Sequence, residues 1–68
     1  MSKLVREFET TLDELVGAYI NTQDFTNLVS RTEQILVQIQ TRHSPETYLG
    51  LIKDYNNVLV SKGYTGRN

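Results

Sequence analysis

Arg42-His43-Ser44-Pro45-Glu46 is the stretch on which the reading of this chain turns. A residue that precedes proline is pushed out of the helical region of backbone space, so Ser44 cannot sit inside a helix. It can instead cap the next one with its hydroxyl. Pro45 suits the first helical position, where its missing N–H is no loss, and Glu46 stands beside the positive helix end. One helix must therefore stop near Thr41 and another begin at Pro45.

Outward from that break, apolar residues recur with a helical period on both sides. Tyr48, Leu51, Tyr55 and Val58 advance by 3, 4 and 3 and share a face, with Ile52 and Leu59 beside them. Lys62 in the last turn and Gly63 just past it form a stop signal. The third helix is expected over residues 45–62, with 64–68 as a flexible tail. On the other side, Phe25, Leu28, Thr32, Ile35 and Ile39 step by 3, 4, 3 and 4, widened by Val29 and Leu36. They give a second helix over 24–41 capped by Thr22 or Asp24. Ser30 to Glu33 matches a capping box, but the apolar period runs through it unbroken, so no start is assigned there.

The polar run Asn21-Thr22-Gln23-Asp24 marks an earlier break. Before it, Val5, Phe8, Leu12, Leu15 and Tyr19 repeat the same steps, with Leu4, Val16 and Ile20 widening the stripe. A first helix over 2–20 with Ser2 as cap follows. Gly17 either weakens this helix by about 1 kcal/mol relative to Ala or, with Ala18, permits a close helix crossing. Short links favour antiparallel neighbours. The expected fold is all-α, a single up-down-up three-helix domain over 1–68 that can self-associate. Its core is expected from Leu12, Leu15, Ile35, Leu36, Ile52 and Leu59, midway along their stripes. Because 21–24 contains neither Pro nor Gly, a fused first and second helix forming a dimeric rod is the rival architecture.

Composition narrows the function classes. Sixty-eight residues leave stability marginal without staples or partners. With no cysteine and one histidine, disulfides, thiolate metal sites and multi-histidine clusters are excluded, and a cytoplasmic setting is expected. Seven Lys+Arg against eight Asp+Glu give a net charge of −1, without the basic excess of a dedicated nucleic-acid binder. No apolar run approaches a membrane span, and the N-terminal residues lack the apolar region of a signal peptide.

The chemistry-bearing residues read the same way. His43 as general base for Ser44 competes with a simpler account, in which Ser44 caps a helix and His43 is a solvated loop residue. Glu9, Asp13 and Glu14 lie off the apolar stripe and belong to a solvated face. Glycines 17, 50, 63 and 66 are scattered and form no phosphate-cradling loop. No enzyme, cofactor, metal or small-molecule substrate is expected.

Two surface features remain. At 100° per residue, Val37 points about 140° from the centre of its stripe, and Leu49 and Val60 about 110 to 130° from theirs. With Lys53 between them and Tyr64 in the tail, Val37, Leu49, Lys53, Val60 and Tyr64 form the expected contact surface for a protein partner or a second copy. The alternative is an anion or nucleic-acid site at one end of the bundle, where Lys3, Arg6, Arg42 and His43 gather. Glu7 and Glu46 at that end oppose it. An acid near the start of the third helix, with no Arg, Lys, Asn or Gln before Lys53, argues against reading a major groove.

Overall fold

The computed structural model describes residues 2–64 and contains three helices, with no strand among those residues. They are α1 (Lys3–Gly17), α2 (Gln23–Arg42) and α3 (Pro45–Ser61). Each start is capped as its sequence requires. Leu4 N donates to Ser2 Oγ at 3.1 Å, Phe25 N to Thr22 Oγ1 at 3.2 Å, and Thr47 N to Ser44 Oγ at 3.2 Å. Pro45 occupies the first turn of α3. The helices run up, down and up. His43 Nε2 lies 3.0 Å from Ser2 Oγ at one end. At the other, the Tyr64 ring meets Phe25 edge-on, with centroids 4.9 Å apart.

The core joins Phe8 and Leu15 of α1, Phe25, Ile35, Leu36 and Ile39 of α2, and Tyr55 and Leu59 of α3. Two threonines are buried with them, Thr11 and Thr32. Each satisfies its hydroxyl on its own helix, Thr11 Oγ1 donating to Glu7 O at 2.8 Å and Thr32 Oγ1 to Leu28 O at 2.7 Å. Leu12 and Ile52, expected at the centre, are only half-buried. α1 lies closely along α2, whereas α3 touches both more sparsely.

Helix one is shorter than its apolar period implied. It ends at Gly17, and Ala18 is already extended, with φ −86° and ψ 147°. Asn21 then takes a positive φ of 70°, in the left-handed region that asparagine tolerates better than most residues. Thr22 Oγ1 donates to Tyr19 O at 2.6 Å, closing the turn and ruling out the fused rod. In extended chain successive side chains alternate sides. Ala18 and Ile20 thus pack on the core while Tyr19, expected on the core stripe, is 82 % exposed. Val16 is exposed too, and a Cβ on Gly17 would meet nothing within 4 Å, so no close crossing occurs there.

The end of α3 is also corrected. Gly63 adopts φ 76°, its N–H bonds Val60 O at 2.9 Å, and Tyr64 N bonds Leu59 O at 2.9 Å. This is a Schellman closure, which turns the chain back on its helix. Tyr64 is therefore half-buried against Phe25 and is not part of a loose tail. Residues 65–68 of that expected tail lie outside the described residues.

Candidate protein-docking groove

The sparse packing of α3 leaves an open groove of about 610 Å³ between it and α2. Its floor is apolar, made by Leu36 of α2 and by Ile52, Tyr55 and Leu59 of α3. Glu33 and Val37 form one wall, Tyr48, Asn56 and Val60 the other, and Tyr64 closes one end. A polar bond crosses it, Tyr55 Oη donating to Glu33 Oε2 at 3.0 Å.

Of the five residues expected to form a contact surface, the groove brings three together: Val37, Val60 and Tyr64. Val37 is 60 % exposed and Val60 73 %, whereas Tyr64 serves as packed wall and not as a free side chain. Leu49, 60 % exposed, and the exposed Lys53 do not line the groove but stand on the strip of α3 next to it. The groove itself was not foreseen. A signal for it exists in the sequence, because Tyr48, Leu49, Leu51, Ile52, Tyr55, Val58, Leu59 and Val60 span an arc of about 200° at 100° per residue. That is nearly twice the stripe a helix needs to face a core.

The basic end is assembled only in part. Lys3, Arg6 and Arg42 are exposed, but His43 is half-buried, with Nε2 on Ser2 Oγ, and is not the solvated loop residue expected. Lys3 and Arg6 share a shallow hollow with Arg31, and Glu7 and Glu14 line the same hollow, so opposite charges meet there. Ser44 Oγ sits 3.1 Å from Thr47 Oγ1 as well as accepting from Thr47 N, the geometry of a helix cap. Among the described residues no three His, Asp or Glu side chains converge as a metal site. No helix among them is long and apolar enough to cross a membrane. Compared with protein-family models, curated proteins and solved structures, the chain matches none.

Proposed function

We propose that this protein is a small, non-enzymatic helical interaction module, a regulator, inhibitor or assembly factor that docks its α2–α3 face on a protein. The observation that carries this reading is the apolar groove bordered by exposed Val37 and Val60. Of the side chains that line it only Glu33 is charged, and the rest are apolar, aromatic or, as Asn56, neutral polar; a low share of charge marks the centre of a protein interface. The cytoplasm is the setting assumed, in keeping with a cysteine-free sequence.

The second reading, an anion or nucleic-acid site at the basic end, draws on the Ser2–His43 bond that holds the start of α1 against the end of α2. One pair of double variants separates the two. Leu49→Glu with Val60→Lys should abolish assembly or partner binding while the helical spectrum stays unchanged. Lys3→Glu with Arg42→Glu should leave docking intact. If the second variant alone loses binding, and the loss follows salt concentration in a nucleic-acid titration, the basic end is the site.

A further inference from the structure

The groove needs an occupant, and its geometry fits one in particular. The short turn from Arg42 to Pro45 sets Glu33, nine residues before the end of α2, and Tyr55, ten after the start of α3, at about the same height on antiparallel helices, and the Tyr55–Glu33 bond agrees with it. From that level toward the His43-Ser44 turn, α2 presents Glu33 and, four residues on, Val37. α3, read backward, presents Lys53 and, four residues further, Leu49. At 1.5 Å per residue, Lys53 stands about 3 Å above the Tyr55 level, and Leu49 about 3 Å above the height of Val37. Each crest thus carries a charge followed one helical turn later by an exposed apolar residue, and these two charges, Glu33 and Lys53, are opposite.

Resting on the docking reading above, we infer that the occupant is a second copy of this chain, related by a twofold axis lying in the α2–α3 face and parallel to the helices. Such a rotation preserves height and exchanges α2 for α3. Glu33 then meets Lys53 of the second copy, Val37 meets its Leu49, and both pairs occur twice, as an isologous interface requires. The face has the area for it. The molecule measures 32 × 22 × 15 Å. Two helices abreast over the length of α2 cover about 600 Å² in projection. Doubled, this clears the roughly 1,000 Å² that a specific interface must bury. The outer face of α1, with Lys3, Arg6, Glu7, Glu9, Asp13 and Glu14 all exposed, offers no comparable apolar surface.

Sedimentation of the wild type from micromolar to sub-millimolar concentration, followed by a charge exchange, tests this pairing. The wild type should sediment as a dimer. Glu33→Lys or Lys53→Glu alone sets like charges face to face and should weaken the dimer about tenfold or more. Glu33→Lys with Lys53→Glu should recover most of the loss. Tyr55→Phe removes the bond within the chain without changing charge and should leave the dimer intact, which separates interface effects from local distortion. A monomeric wild type overturns the inference, and so does a dimer indifferent to the single reversals or not rescued by the exchange. The docking reading fails separately. A monomer whose binding to a foreign protein is lost in Leu49→Glu with Val60→Lys keeps it, whereas a dimer untouched by that variant removes both.

Discussion

The two seams along α2 are built from similar side chains and end differently. Between α1 and α2, Phe8 and Leu15 of α1 and Ile39 of α2 are all 0 % exposed, and even Thr32 of α2 is buried at 0 %. Against α3, α2 leaves Tyr48 and Ile52 half-buried and Val60 exposed. The closed seam uses narrow stripes that match each other. The open seam gives α3 more apolar arc than two neighbours can cover. In a domain this small, closure along one face of α2 stabilises, while openness along the other leaves apolar surface uncovered, the surface that the proposed docking would use.

Truncation in the closed seam should have the largest effect. Phe8→Ala is expected to cost about 3–5 kcal/mol, much of the total stability of a domain of this size. Thermal or denaturant melting measures it. Ile52→Ala in the open seam should cost less, about 1–2 kcal/mol, because solvent already reaches the side chain and part of the cavity can collapse. Equal losses at Phe8 and Ile52 would erase the distinction between the seams. Gly63→Ala places a side chain at φ 76°, at a cost of about 1 kcal/mol. It should also loosen Tyr64 from Phe25, visible as a change in tyrosine fluorescence or ring chemical shifts. Smallest of all, Leu49→Glu with Val60→Lys should shift stability by no more than about 0.5 kcal/mol per site. A much larger shift would mean that this face belongs to the folded core.

Most of the fold was legible because its signals are local. Ser44-Pro45, Gly63 and the 3-4 steps of Phe25 to Ile39 act through neighbouring residues, and the helix starts follow from them. Tyr19 was misread because periodicity carries on through a break that only Asn21 and Thr22 enforce. Tyr64 was misread because Gly63 signals where the helix stops, whereas the ring that Tyr64 meets after the turn, Phe25, belongs to α2 and lies far away in sequence. The candidate site was legible as single exposed residues, Val37, Leu49 and Val60, but not as a groove. How far apart two helices stand depends on the relative width of their apolar arcs, which no single stripe reveals.

The last turn of α1 contains no basic residue. Its free carbonyls form the negative end of the helix dipole with no cation of their own turn beside them, and one comes from elsewhere in the chain: Lys62 Nζ donates to Val16 O at 2.9 Å. Lys62 and Tyr64 together make the end of α3 a double fastener, one tie to α1 and one to α2. Amide hydrogen exchange should register this as shared fate. The sub-global opening that lifts α3 away also releases the last turn of α1, so amides there exchange with those of α3 and not with the middle of their own helix.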